Sequence, residues 1–263
     1  MLYHRVIPVL LFDDGAIYRS QEFSRHYRLG DPLPQLERYK AWDVDEIIYL
    51  DMHRTAGRRR MLEFLPSIAR NCFAPLAVGG GIRTLDDIYQ RLHAGADRIV
   101  VNTIAADNPD FVTTAAREFG AQAIIVSIDA RQRAPNSYEV VVESGRRSTG
   151  RAVGDWAAEV AARGAGEIFL NSTDRDGMAS GFDCDLIRSV TSRVSIPVIA
   201  CGGVGSFQHL IAGIRDGGAT SVAASNIFAF KELSYFLAKD ALATAGISVR
   251  PSTTPDKVKR RRA

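Results

Sequence analysis

The 263 residues are 46% apolar and 24% charged, enough chain for one substantial core and an ordinary balance for a globular protein. A net charge of only +3 argues against a body built to grip nucleic acid or an anionic membrane surface. No apolar run reaches the ~20 residues a bilayer span requires, and Met1-Leu2-Tyr3-His4-Arg5 lacks a signal segment. Cys72, Cys184 and Cys201 are odd in number and lack metal-ligand spacing. They fit a reducing compartment, so the expectation is a cytoplasmic protein with no metal and no cofactor.

Eight β-rich runs follow one another: Val6–Leu11, Glu46–Asp51, Leu76–Val78, Arg98–Asn102, Ile124–Asp129, Glu167–Leu170, Pro197–Ala200 and Ser221–Ala224. Between them, apolar residues at three- and four-residue spacing predict helices over Leu85–His93, Phe111–Phe119, Ala152–Arg163, Leu186–Val190 and Phe207–Ile214. Such alternation predicts an α/β fold, a single (β/α)8 barrel over residues 1–250. An open doubly wound sheet ranks behind it, because no glycine-rich dinucleotide loop follows the first strand. Residues 251–263, with Lys257, Lys259, Arg260, Arg261 and Arg262, read as a basic, disordered tail.

The two halves resemble each other. Asp45 to Asp51 is matched by Gly166 to Asn171, Gly80-Gly81-Ile82 by Gly202-Gly203-Val204, and Asn102-Thr103 by Ser225-Asn226. The offsets from Glu46 to Glu167, Gly81 to Gly203 and Asn102 to Ser225 are 121, 122 and 123 residues, which predicts two similar half-barrels.

Chemistry is expected at the strands' carboxyl ends, the working face of this architecture. Gly79-Gly80-Gly81 and Asn102-Thr103 follow strands three and four; Gly202-Gly203 and Ala224-Ser225-Asn226 follow strands seven and eight. Glycines let backbone N–H groups approach a phosphate, so the repeat predicts two anion sites across the mouth and a ligand with a phosphate at each end. The run Ile124–Asp129 ends on a carboxylate suited to general acid–base work once buried. Its counterpart in the first half ends on Leu11 instead. Asp13, Asp14, Arg19, Asp51, His53, Asn171, Asp174 and Asp176 complete the mouth candidates. His53 reads as an ordinary loop histidine. The loop Asp174-Arg175-Asp176-Gly177 either hydrogen-bonds a sugar hydroxyl or phosphate or forms a plain turn.

Taken in series, Arg5-Val6-Ile7-Pro8, Val78-Gly79-Gly80-Gly81-Ile82, Val101-Asn102-Thr103-Ile104-Ala105, Ser127-Ile128-Asp129, Arg163 to Ile168 and Asp174 to Gly177 resemble the cyclase subunit (HisF) family of imidazole glycerol phosphate synthase. The resemblance runs from Met1 to about Arg250. It implies a glutaminase partner (HisH-like) at the barrel's N-terminal face, whose ammonia crosses the barrel to a bis-phosphorylated substrate. The products of that reaction are imidazole glycerol phosphate and an aminoimidazole carboxamide ribonucleotide. Carried over, Gly81, Asn102 and Thr103 hold one phosphate, and Asp176, Gly177, Gly203, Ala224 and Ser225 the other. Asp129 matches one of two catalytic carboxylates. The second falls at Leu11, with Asp13 or Asp14 as the nearest substitutes, and the family's active-site lysine falls at Arg19. Arginine binds anions but is no equivalent proton donor. Arg5, Glu46, Arg98 and Glu167 match an ammonia gate, with Asp97 beside it as a docking residue.

Leu10-Leu11 and the lead-in Arg70 to Leu76 are similar to a paralogous branch that serves acetamidino-sugar formation for surface polysaccharide. That likeness implies a sugar-nucleotide-pathway small molecule and a sugar amidotransferase partner, with neither nucleic acid nor membrane involved. The alternatives are a working histidine-pathway cyclase and a non-catalytic scaffold that activates the glutaminase.

Overall fold

The computed structural model describes residues 3–52, 58–230 and 233–251. His53 and residues 252–263, with all the tail's basic residues, lie outside them. The strands are β1 (Arg5–Asp13), β2 (Ala16–Gln21), β3 (Arg25–Gly30), β4 (Ile47–Asp51), β5 (Leu76–Gly79), β6 (Arg98–Val101), β7 (Ile124–Ala134), β8 (Ser137–Val142), β9 (Arg147–Ala152), β10 (Glu167–Ser172), β11 (Val198–Cys201) and β12 (Ser221–Ala224). Eight of them pair in parallel in the order β1, β4, β5, β6, β7, β10, β11, β12 and back to β1. The ring is closed, so the fold is a (β/α)8 barrel.

The strands are legible as continuous Val/Ile/Leu runs because they are buried on both faces. One face turns into the barrel, where Ile7, Val9, Ile48, Val100, Ile125, Phe169 and Ile199 pack together. The other meets the helices through Val6, Leu10, Ile47, Val126, Ile168 and Val198. Helix Leu85–His93 begins where expected because Thr84 and Asp87 form a reciprocal capping box. Helix Asp110–Phe119 and helix Val153–Ala162 depart from expectation by a residue at one end or both.

Two strands run further than their sequence predicts. β1 continues past Leu11 to Asp13, and β7 past Asp129 to Ala134. Each continues because an antiparallel hairpin is added to it. β2 and β3 extend β1; β8 and β9 extend β7. The half-barrel repeat therefore includes a hairpin after the first strand of each half. Both hairpins rise over the mouth.

Candidate active site at the barrel mouth

A cavity of about 860 Å³ opens at the strands' carboxyl ends. Leu11 and Asp129 both line it. β1 and β7 lie four steps apart in a ring of eight, so the two residues face each other across the mouth. The same count sets the Gly80-Gly81 turn opposite the Gly202-Gly203 turn, and Asn102-Thr103 opposite Ser225-Asn226. All of these residues line the cavity, as do Asp176, Gly177 and Ala224.

Asp129 is 7% exposed and accepts a hydrogen bond from Asn102 Nδ2 at 3.0 Å. Burial pushes its pKa up to about 7, against the pull of the Asn102 and Ser127 hydrogen bonds and with a further push from the Asp176 charge. Burial likewise raises Asp176, partly offset by the nearby Ser20 hydroxyl and by the hydrogen bond it accepts from Phe23 N at 3.3 Å. Two interacting carboxyl groups therefore share the mouth. Asn102 Oδ1, Asn171 Oδ1 and Asn226 Oδ1 are buried with no partner among the described residues. Each leaves an acceptor that a ligand O–H or N–H would satisfy.

Gly203 is required by both conformation and space. Its φ is +99°, and a Cβ there would sit 2.2 Å from the Gly181 carbonyl oxygen. Any side chain at this position displaces backbone, so a charge that closes this end belongs on Ser225 instead. On the other side, Thr103 Oγ1 accepts from Glu143 N at 3.3 Å, tying the end of β6 to the second hairpin.

Several candidates stand elsewhere. Arg19 does not line the cavity; its guanidinium lies 4.4 Å over the Tyr27 ring within the first hairpin. Asp13 pairs with Ala16 at the hairpin's base and does not line the cavity either, being two residues, ~6.6 Å, beyond Leu11. Asp14 makes the turn, at φ 44°. Asp174 Oδ2 accepts from Gln132 N at 2.7 Å and Asp176 O from Glu22 N at 2.8 Å, so their loop is a turn that ties down both hairpins. Sequence reasoning missed Ser20, Phe23, His26, Glu143, Ser144 and Arg146, which the hairpins bring to the cavity wall. The signal was present in Asp14-Gly15, a strong two-residue hairpin turn.

At the opposite end, Arg5, Glu46, Arg98 and Glu167 form a closed ring. Arg5 pairs with both glutamates, and Arg98 Nη1 lies 3.1 Å from Glu46 and 2.5 Å from Glu167. Burial pushes Glu46 up, against the pull of Arg5 and Arg98. Burial also opposes the Arg5 charge, but Glu167 and Glu46 outweigh it and raise its pKa. The strand starts are held from outside by Asp45, which accepts from Val6 N at 3.0 Å and pairs with buried Lys239 at 2.7 Å. Exposed Asp97 caps Leu76 N at 2.8 Å. Between ring and cavity lies an apolar barrel interior.

The Asp129 shift has a thermodynamic signature. Folding raises its pKa from the ordinary aspartate range to about 7, so the folded state keeps a proton that the unfolded chain releases above pH ~4. The associated stability is full below pH ~4 and is lost as pH rises through about 7. Above that, the buried anion costs up to roughly 4 kcal/mol. Asp129→Asn is therefore expected to exceed the parent in stability at pH 8 and to converge with it at pH 4. Urea melts across that range check this; a gap independent of pH would place its cause elsewhere.

Among the described residues no cluster of His, Cys, Asp or Glu could hold a metal, and no helix is long and apolar enough to cross a membrane. Residues 5–234 match the family model described as "Histidine biosynthesis protein". Two proteins named imidazole glycerol phosphate synthase subunit HisF, from two strains of Caulobacter vibrioides, are each 44% identical to it over 252 residues. That alignment covers 95% of this chain and 97% of each relative. With the closed barrel and its two-fold mouth, this similarity makes the chain a member of the HisF family of imidazole glycerol phosphate synthase subunits.

Proposed function

We propose that this chain is the synthase-type barrel of a glutamine amidotransferase, fed with ammonia by a glutaminase docked at the N-terminal face. Neutral ammonia passes the salt-bridged ring and the apolar interior, which disfavours ions. It meets its acceptor at the mouth, where Gly81, Asn102 and Thr103 bind one phosphate and Asp176, Gly177, Gly203, Ala224 and Ser225 the other. Residues 1–250 act as one unit, with 251–263 a solvated tail, and the setting is the cytoplasm.

The observation that carries the choice of acceptor is Leu11 facing Asp129. A leucine transfers no proton, so the mouth has lost one member of the acid–base pair that the family resemblance implies. That favours a retuned barrel serving acetamidino-sugar formation together with a sugar amidotransferase. A second reading, cyclase chemistry of histidine biosynthesis, is favoured by 44% identity to HisF and by Asp176 as a carboxyl group coupled to Asp129.

The deciding experiment is turnover of the histidine-pathway bisphosphate by purified chain with excess ammonium salt at alkaline pH. The expected result is binding without appreciable turnover. Turnover at the rate of a working cyclase hands the assignment to the second reading, with Asp176 supplying the missing carboxyl group.

A further inference from the structure

Arg91 on helix Leu85–His93 is 0% exposed and stands behind the cavity wall rather than in it. Arginine stays charged, so enclosing it is costly unless its donors are well placed. Nη1 donates to the Asp87 carbonyl at 2.9 Å, and Nη2 donates to the Gly80 carbonyl, also at 2.9 Å. The second bond reaches from the helix layer to the back of the glycine turn that lines the mouth.

That bond fixes a direction. Across a trans peptide the C=O and the following N–H point opposite ways, and no cis peptide occurs among the described residues. With the Gly80 carbonyl anchored outward on Arg91, the Gly81 N–H is turned toward the cavity that Gly81 lines. No described residue accepts a hydrogen bond from it. Gly80 itself is wedged in place: a Cβ there would lie 2.1 Å from the Asp51 carbonyl oxygen. An oriented, unused N–H with a guanidinium behind it is an arrangement for an anion.

At the equivalent position of the other half-barrel no arginine stands, and Arg175 beside the Gly203 turn donates instead to the Gly181 and Phe182 carbonyls. The position 122 residues after Arg91 is Gly213, where a Cβ would lie 2.6 Å from the Phe182 ring. An aromatic ring there takes the place of a cation. We propose that Arg91 is a positioning residue for a phosphate group at the Gly80-Gly81 turn and makes the two ends of the cavity unequal, this end the tighter. The inference rests on the anion-binding reading of the mouth given above, and deepens it by ranking its two ends.

The test titrates inorganic phosphate into the full chain by calorimetry, with one end closed at a time. Ser225→Asp closes the far end and leaves the Gly81 end; Thr103→Asp does the reverse. In the Ser225→Asp chain, Arg91→Met is expected to weaken phosphate binding by roughly tenfold or more, and Arg91→Lys by less. In the Thr103→Asp chain the same changes are expected to leave affinity unaltered. Equal losses at both ends would reduce Arg91 to a packing role and overturn the proposal, as would no loss at the Gly81 end. Where Arg91→Met fails to fold, Arg91→Lys decides by the same comparison of ends. If the Ser225→Asp chain with Arg91 intact binds no phosphate, the anion reading of this turn falls and the proposal falls with it. Binding that ignores Arg91 overturns the proposal alone.

Discussion

Leu11→Asp is expected to raise ammonia-driven turnover of the histidine-pathway bisphosphate by ~10²-fold or more over the parent chain, the usual worth of a placed acid or base. Leu11 sits on the inner face of β1 in register with Tyr18 and Leu50, and lines the cavity opposite Asp129. An aspartate there enters a mouth that already holds Asp129 and Asp176. Like charges oppose joint ionisation, so the new group would push Asp129 further above its present value of about 7. The pair would then hold one proton near neutrality, with one member as acid and the other as base. kcat/KM of the variant measured across pH should trace a bell. Leu11 is only half-buried at the cavity edge, so its loss costs packing energy on the order of 1–2 kcal/mol, which a thermal melt will register. A gain in rate alone would show that the scaffold retains everything else the reaction needs. No gain, in a chain that still binds the bisphosphate, would mean that the mouth has been reshaped for another acceptor beyond this one residue.

What could be read from the residues follows from where each contact is made. The barrel strands are legible because burial on both faces demands uninterrupted β-branched runs, as in Ile124-Ile125-Val126. Helix Leu85–His93 is legible to the residue because its cap lies within four positions of sequence. The first hairpin was not, because Arg25, His26, Tyr27 and Arg28 are all exposed and show no alternation for a strand to announce itself. Proline at positions 32 and 34 likewise hid helix Pro32–Ala41, although proline suits a first helical turn.

The site divides in the same way. Glycine turns and Asp129 announce themselves locally, since a tight turn or a strand-end carboxylate needs particular residues at that point. Arg19 and Arg91 do not. In sequence both are ordinary cations on a polar stretch. Pairing in the hairpin turns Arg19 toward Tyr27, whereas helix packing buries Arg91 against Gly80. Only the assembled barrel distinguishes the cation of the hairpin from the one buried behind the Gly80-Gly81 turn.

Glu167→Ala should break the link between the two ends of the barrel. Each glutamate of the ring bridges both arginines, so removing Glu167 leaves Arg5 and Arg98 with Glu46 alone and turns a neutral ring into one with an excess positive charge. Losing one partner of a buried pair costs ~3–5 kcal/mol. Here the arginine side chains are 30% and 17% exposed and rehydrate, which brings the expected loss nearer ~1–3 kcal/mol. The strand starts should survive, because Asp45 still holds Val6 N and Lys239. The larger effect is on traffic. The gap left beneath Phe169 and Ile125 opens the apolar interior to water, so ammonia released by the glutaminase can escape or become protonated before it reaches the mouth. With the partner bound, product formed per glutamine consumed is expected to fall well below that of the parent complex, while turnover driven by added ammonium falls less. Glu167→Gln, which keeps the volume and loses the charge, separates the two causes: leakage through a hole predicts that it stays coupled, and loss of ring neutrality predicts that it does not. Full coupling in both variants would make the four charges a structural device that only pins the strand starts.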